Sequence, residues 1–321
     1  MVLSPDTSTD LLRLMAKIAH LYHERGLKQP EIAAQLGLSQ ARVSRLLKQA
    51  ETVGIVRTTV HPPLGVFTDL EEQIERRYGL REAVVVDTGS EEEAVIPFLG
   101  ASAALYLQTA LVGARRIGIS SWSETLLATV NAMRPVPQSS TEQVVQVLGG
   151  LGTPSSQAYA TRLTERLAQL LGAQALFLPV PGVVASNEAR EALLQDPNIR
   201  AVFSTFDDLS VVLLGIGSLA PSKLIRESGN VVSPADQEAL RGAGAVGDVC
   251  QRFFDDHGVY QPLPLSGRIL GIGAEQLRRV PRRVGVAGGG SKFLAIRAAA
   301  RGGWIDTLIT DHHVARRLVQ D

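Results

Sequence analysis

The sequence predicts a small all-α domain at the N-terminus followed by a larger α/β domain with a mostly parallel sheet. Helical apolar spacing fills the first fifty residues, and a proline-rich stretch follows at 61–65. Beyond it, short aliphatic runs alternate with helical patterns, which is typical of a parallel sheet covered on both faces. We therefore divide the 321 residues into a domain at 1–60, a linker at 61–66 and a domain at 67–321.

Three helices and one strand are predicted in the first domain. The first helix has an apolar stripe at helical spacing, formed by Leu11, Leu14, Met15, Ile18 and Tyr22. A second helix begins near Pro30, because proline suits the first helical turn. A turn at 37–39 follows, and Ser39 caps a third helix. The run 55–60 is predicted to be a strand, which would serve as a wing.

The strands of the second domain are predicted from β-branched and aliphatic runs. These runs are 84–86, 116–120, 143–148, 175–179, 211–215, 283–287 and 306–310. Helical patterns separate most of them, for example at 155–171 and 291–301. A helix at 67–78 directly follows the linker, and we expect its apolar stripe to pair subunits or to dock the first domain on the second.

The second and third helices have the pattern of a helix-turn-helix. Ala33 is small where two steeply crossing helices would touch, Gly37 tolerates the positive φ of a sharp turn, and Val43 packs the third helix on the second. On a helical wheel, Leu46 and Leu47 cluster with Val43, whereas the basic and hydroxyl side chains point away. The alternative is a generic amphipathic hairpin with a solvated charged face.

The distribution of charge favours DNA binding, although the formal net charge is zero. The stretch 39–50 carries three cations and no acid. Such helices enter the major groove with their N-terminal part. The predicted DNA-contacting residues are Gln29, Ser39, Gln40, Arg42, Ser44, Arg45 and Lys48.

Composition excludes several other classes. Hydrophobic residues make up 45% of the chain, which is ordinary for a globular protein, and no apolar run is long enough to cross a membrane. The polar, acidic N-terminus does not look like a secretory signal. Cys250 is the single cysteine, so no internal disulfide can form, and we expect a cytoplasmic protein.

Seven stretches of the chain have a recognisable combination of residues in a recognisable order, namely 21–33, 42–47, 215–219, 242–248, 253–255, 288–292 and 308–311. Through them the chain resembles, over nearly its whole length, the SorC family of sugar-responsive transcriptional regulators. The resemblance implies a body related in fold to ribose-phosphate isomerases and glucosamine-phosphate deaminases, which binds a sugar or sugar phosphate. It also implies a homotetramer whose DNA affinity responds to that ligand, with Asp248 and Lys292 contacting the effector.

Two strand-to-helix junctions have the chemistry of such a ligand site. Residues 118–125 offer hydroxyls and backbone N–H groups at a helix start, and residues 288–292 combine three glycines with a lysine. We expect these loops to lie on neighbouring strands and to converge at the carboxyl edge of the sheet. The predicted ligand-binding residues are Ser120, Ser121, Trp122, Ser123, Thr125, Asp248, Gly289, Gly290 and Lys292.

One departure from the family pattern concerns Glu124, where members have a basic or small residue. Its carboxylate would repel a phosphate unless it points away or pairs with a cation such as Arg115 or Arg116. An unphosphorylated polyol or sugar is therefore an alternative effector.

No cofactor and no metal are expected. The run 215–217 has the glycines of a dinucleotide fingerprint, but a proline at 221 interrupts the helix that should follow. His312 and His313 follow Asp311, which is interpreted as a helix cap rather than a metal ligand.

The main alternative to a transcriptional regulator is an isomerase or deaminase with Asp248 or Asp255 as general base. A DNA-binding protein with a purely structural body is the third reading.

Overall fold

The computed structural model describes residues 9–57, 63, 65–89, 95–137, 139–150, 154–220, 225–226, 230 and 232–321, without the side chains of 154–159. The chain divides into two compact units, Met1–Pro62 and Pro63–Asp321.

The first unit is helical. Its helices are α1 (Thr9–Ala19), which continues as a wider turn at His20–Glu24, α2 (Gln29–Leu36) and α3 (Gln40–Thr52). The predicted apolar stripes meet in one core that includes Met15, Ile18, Ile32, Val43 and Leu47. Burial of these stripes away from water is what holds three short helices together.

The strand predicted at 55–60 is wrong for its first three residues. The backbone N–H groups of Ile55 and Val56 both donate to the carbonyl of Ala50, at 2.9 and 3.2 Å, so this segment closes the end of α3. Bends and irregular chain therefore occupy 55–57, and residues 58–60 lie outside the described part of the chain.

The second unit contains a seven-stranded sheet in which every described pairing is parallel. Its strands are β1 (Glu82–Val86), β2 (Arg116–Ile119), β3 (Gln143–Gln146), β4 (Gln174–Leu176), β5 (Val211–Gly215), β9 (Arg282–Val286) and β10 (Thr307–Asp311). Their order across the sheet is β1-β10-β9-β5-β2-β3-β4. The seven strands predicted for this unit all exist, and none of their ends differs from the prediction by more than three residues.

Helices cover both faces of this sheet. They are α4 (Thr68–Tyr78), α5 (Val95–Ala110), α6 (Glu124–Ala132), α7 (Pro154–Leu171), α8 (Asn187–Leu194), α9 (Pro197–Ser204), α10 (Pro234–Gly242), α11 (Ala274–Arg279), α12 (Phe293–Arg301) and α13 (His312–Gln320). Along β5, Val212 and Leu214 enter one apolar core, whereas Leu213 enters the other. Because successive side chains of a strand point to opposite faces, this alternation shows that the sheet is buried on both sides.

A small antiparallel sheet lies beyond β5 and was not predicted. It is formed by β6 (Gly217–Ser218), β7 (Ala245–Val249) and β8 (Arg252–Asp255). The buried side chain of Arg252 anchors this small sheet, since its guanidinium donates to the carbonyls of Ile272 and Gly271 at 2.8 and 3.0 Å.

The apolar stripe of α4 is used within its own unit. Ile74 is fully buried, and the hydroxyl of Tyr78 donates to the carbonyl of Leu318 on α13 at 2.9 Å. The stripe therefore packs on the apolar core of its own unit, with Phe67, Leu70 and Tyr78 partly buried there. None of the helices in the described residues is long and apolar enough to cross a membrane.

Candidate functional site

A cavity of about 320 Å³ lies at the carboxyl end of the parallel sheet. This volume is at the small end of the range for small-molecule sites. Four separate segments supply most of its described lining, namely 120–125, 215–220, 248–253 and 291–292. The cavity is therefore assembled by the fold from parts that are distant in sequence.

The loop between β2 and α6 forms one wall. Ser120, Trp122, Ser123 and Thr125 line the cavity, and Ser123 also caps α6 by accepting a bond from the N–H of Leu126 at 3.2 Å. Of the predicted residues in this loop, Ser121 lies elsewhere. Its hydroxyl is buried against that of Thr164, at 2.9 Å.

The indole of Trp122 is held rigidly in the wall. Its Nε1 donates to the carbonyl of Gly149 at 3.1 Å. A Cβ on Gly150 would lie 2.1 Å from the ring, so only glycine allows the indole to lie in this position. Trp122 therefore presents a fixed aromatic surface to the cavity.

The glycine loop after β9 contributes only its far end. Ser291 and Lys292 line the cavity, whereas Gly289 and Gly290 do not. Lys292 ends a short 3₁₀ turn and precedes α12, rather than lying inside the helix. The N–H of Gly289 instead donates to the Asp311 carboxylate at 2.7 Å.

The prediction that the two loops follow neighbouring strands is wrong. β5 lies between β2 and β9 in the sheet, because β5 pairs with both. Its carboxyl end, Gly215-Ile216-Gly217, forms the floor between the loops. A Cβ on Gly215 would lie 2.7 Å from the Ser123 hydroxyl, and one on Gly217 would lie 2.2 Å from the Asp248 carboxylate.

Asp248 and Lys292 face the same cavity, as the sequence predicted. The Asp248 carboxylate accepts a bond from the N–H of Gln251 at 2.8 Å. Burial raises the pKa of Asp248 to about 6, although the Gln251 N–H and the positive charge of Lys292 act in the opposite direction. Burial likewise lowers the pKa of Lys292, against the attraction of Asp248 and Glu124.

Glu124 lines the cavity close enough to act on Lys292. The two arginines considered as its partners are engaged elsewhere. Arg115 pairs with Glu142 at 2.7 Å, and Arg116 pairs with Asp208 at 2.9 Å. The carboxylate of Glu124 therefore contributes negative charge at the start of α6, inside the cavity.

The structure adds lining residues that sequence reasoning missed. Cys250 and Gln251 form the turn between β7 and β8, with φ of 51° and 57°. Buried Gln251 has a side-chain oxygen without a hydrogen-bond partner in the described residues. The lining also includes apolar side chains, most of which pack in one cluster with Trp122, namely Ile96, Leu148, Leu219, Ile225, Val232, Leu240 and Phe253. Proximity to Asp248 in the chain was the only signal for the turn, and the apolar side chains had none.

In the first unit, the exposed and buried faces of α3 are those predicted. Val43, Leu46, Leu47 and Ala50 are buried. The side chains of Gln40, Arg42, Ser44, Arg45 and Lys48 are exposed. Ser39 caps α3, since its hydroxyl accepts a bond from the N–H of Arg42 at 3.3 Å, and Gly37 has a φ of 64°. Gln29 is half-buried and is the first residue of α2 rather than preceding it.

Two acids that were weighed as functional candidates, Asp255 and Asp311, have structural roles. Asp255 accepts bonds from the N–H groups of His257 and Val259, both at 2.9 Å, and so organises its own loop. Asp311 caps α13, as predicted, by accepting bonds from the N–H groups of His313 and Val314. No cluster that could hold a metal ion is present in the described part of the chain.

Comparison with known proteins agrees with this arrangement. A family model described as "Putative sugar-binding domain" matches residues 63–320. The sorbitol operon regulator of Klebsiella pneumoniae is 30% identical over 318 residues, covering 98% of this chain and 99% of that protein. The chain belongs to the SorC family of sugar-binding transcriptional regulators.

One further relative and two solved structures match this chain over nearly their whole length. The deoxyribonucleoside regulator of Bacillus subtilis is 30% identical and covers 96% of this chain and 98% of its own length. The crystal structure of the full-length K. pneumoniae regulator superposes with a TM-score of 0.72, covering 97% of this chain and all of that one. A sugar-binding domain from Pseudomonas syringae pv. tomato, 35% identical, covers 79% of this chain and 99% of its own with a TM-score of 0.62.

Proposed function

We propose that this SorC-family chain binds operator DNA through its N-terminal unit, with an affinity controlled by a sugar, polyol or sugar phosphate bound in the cavity of the body. The observation that carries the proposal is that Asp248 and Lys292, two residues of opposite charge, both line one cavity. Two opposite charges at a largely apolar site are costly to bury unless they serve a polar ligand.

In this proposal the N-terminal unit is a helix-turn-helix and α3 is its recognition helix. Gln40, Arg42 and Ser44 lie in the first turns of α3, where such helices meet base edges. Arg45 and Lys48 follow on the exposed side and would meet bases or phosphates. Ser39 and Gln29, at the starts of α3 and α2, would contribute phosphate contacts.

Within the cavity, each polar group has a distinct proposed role. Asp248 accepts hydrogen bonds from sugar hydroxyls, and Lys292 donates to a hydroxyl or an anionic group. Ser120, Ser123 and Thr125 supply donors at the α6 side, and Trp122 offers an apolar surface to the C–H groups of the ligand. Ser121, Gly289 and Gly290 support the two loops from behind.

The effector of this site is either phosphorylated or neutral, and Glu124 distinguishes the two cases. A phosphate at the start of α6 would meet the carboxylate of Glu124, whereas a polyol would hydrogen-bond to it. Replacing Glu124→Gln should therefore strengthen binding of a phosphorylated compound a few-fold if the phosphate sits there, and should not strengthen binding of a neutral one. Isothermal titration calorimetry of the wild type and of Glu124→Gln, each with a sugar or polyol and with its phosphorylated form, measures these changes in affinity.

We propose that the protein assembles as a homotetramer in the cytoplasm, where its operator is. An exposed apolar stripe supports the assembly, formed by Phe98, Leu105 and Val112 at helical spacing on and just beyond α5. Exposed apolar patches of this kind commonly mark subunit contacts. The kinship of the body to ribose-phosphate isomerases and glucosamine-phosphate deaminases is likewise a proposal from the family resemblance.

Catalysis is the second candidate function, because a cavity carboxyl with a pKa of about 6 could act as a general base. Asp248 is the remaining candidate for that role, since the carboxylate of Asp255 is occupied by its own loop. The names of the relatives favour regulation.

One screen separates the possibilities. The protein is incubated separately with D-sorbitol, D-ribose, D-sorbitol 6-phosphate and D-ribose 5-phosphate. Part of each mixture is analysed for products, and the thermal unfolding temperature is measured on the rest. A regulator should be stabilised by at least one compound, by RT ln(1 + [L]/Kd), without product formation. Product formation would establish an enzyme, and the absence of any stabilisation would favour a purely structural body.

A further inference from the structure

The glycine loop that brings Lys292 to the cavity is attached at its other end to α13. The Asp311 carboxylate accepts the N–H of Gly289 on one oxygen, at 2.7 Å, and the N–H groups of His313 and Val314 on the other, at 3.0 and 2.9 Å. Asp311 is 1% exposed. Hydrogen bonds to a charged acceptor are stronger than those between neutral groups, so this single side chain joins the loop firmly to the start of α13.

The loop itself is short and close to Asp311. Gly289 and Lys292 are joined by one turn, in which the N–H of Lys292 donates to the Gly289 carbonyl at 3.0 Å. A Cβ on Gly288 would lie 2.5 Å from the Asp311 carboxylate, so the close approach requires glycine there. Only this turn and the Gly289–Asp311 hydrogen bond separate Lys292 from Asp311, so a displacement of Lys292 should also displace Asp311.

His312, the first residue of α13, contacts Phe67 near the start of the second unit. The ring of His312 is stacked on that of Phe67, with 5.5 Å between ring centroids and 8° between planes. His312 is buried, and its Nδ1 lies 3.6 Å from Asp87. Phe67 directly precedes α4, and it is only four residues after Pro63, where the second unit starts.

We propose that Asp311 and His312 are positioning residues that transmit ligand occupancy at Lys292 to Phe67, the entry of the chain from the DNA-binding unit. The inference rests on the proposed function. A ligand can change DNA affinity only if it favours one of two arrangements. A shift of the loop changes the geometry of the stacked pair of His312 and Phe67, because the hydrogen bonds of Asp311 couple the loop to the start of α13.

The first test needs no ligand. Amide hydrogen exchange is followed by mass spectrometry in a peptide covering residues 65–75 of the full-length protein. Lys292→Ala should change exchange there by about threefold or more in the wild-type background and by less than about 1.5-fold when His312→Ala is already present. Equal changes in both backgrounds would overturn the proposal.

The second test measures regulation with the four compounds named above. In the wild type, the active compound should change DNA affinity by about fivefold or more. His312→Ala and Phe67→Leu should keep both the DNA affinity without ligand and the thermal shift with ligand, but should reduce the ligand effect to less than about twofold. A ligand effect that survives in both variants would overturn the route.

Tyr78→Phe is the matched control, because Tyr78 joins the same two helices at their other end. It should leave the ligand effect intact. If no compound changes DNA affinity in the wild type, the proposed function fails, whereas the exchange experiment still decides whether the loop communicates with Phe67.

Discussion

The two units of this chain contrast in how their functional surfaces are made. Five of the seven proposed DNA-contacting residues of the first unit lie on one continuous helix of 13 residues, α3. Most of the described lining of the cavity in the second unit comes from four segments spread between residues 120 and 292. A surface carried by one helix is largely determined by local spacing, whereas a cavity depends on which strands the sheet places side by side.

Because each unit has its own apolar core, damage to one core should leave the other unit folded. Ile18→Asp would bury a charge at a fully buried position, at a cost of several kcal/mol, and should unfold the first unit. DNA binding should be abolished, while the ligand-induced thermal shift persists. Exposed Gln35→Asp on α2 is the control and should change neither. Loss of both functions in Ile18→Asp would show that the two units depend on each other.

Substitutions on α3 should separate base contacts from phosphate contacts. Arg42→Ala should weaken binding to the specific operator by about 1–3 kcal/mol, because a base-edge contact is lost. Lys48→Ala should weaken binding to all sequences and reduce the salt dependence by about one ion. Fluorescence anisotropy at several salt concentrations measures both. If both variants retained full affinity at moderate salt, α3 would not be the recognition helix.

The buried carboxyl of the cavity should make stability depend on pH. Since the pKa of Asp248 is raised from 3.8 to about 6, the folded state holds a proton that the unfolded state releases, so this contribution is present at low pH and is lost as pH rises through 6. Between about pH 5 and pH 7.5 the wild type should lose about 1 kcal/mol relative to Asp248→Asn. Urea unfolding of the ligand-free proteins measures this difference. Parallel pH profiles would show that Asp248 does not titrate in this range.

The contrast between the units also explains what the sequence could predict. The apolar stripe of each helix α1–α3, the Ser39 cap and the Asp311 cap each depend on residues within a few positions of each other, and all were predicted. Asp248 and Lys292 were brought together only by family resemblance, since no local pattern links β7 to the loop after β9. The order of β2, β5 and β9 was not predictable from residue types, because strands that are covered on both faces carry no pattern that identifies their neighbours in the sheet.

The small sheet was missed for a particular reason. A two-residue hairpin with positive φ at both central positions normally has asparagine and glycine there. In this chain Cys250 and Gln251 occupy the two positions. The Asp248 carboxylate, which accepts the Gln251 N–H, and the guanidinium of Arg252 stabilise the turn instead. The bond from Arg252 spans 20 residues, and such long-range support has no signature in the local sequence.

The most direct test of the central claim is a titration of operator binding against effector for wild type, Lys292→Ala and Asp248→Ala. Both variants should bind operator normally without effector but should need roughly ten to a hundred times more effector for the same response, because each loses a charged hydrogen-bond partner, which costs about 1.5–3 kcal/mol. An unchanged response in both variants would contradict the account and place the effector site elsewhere.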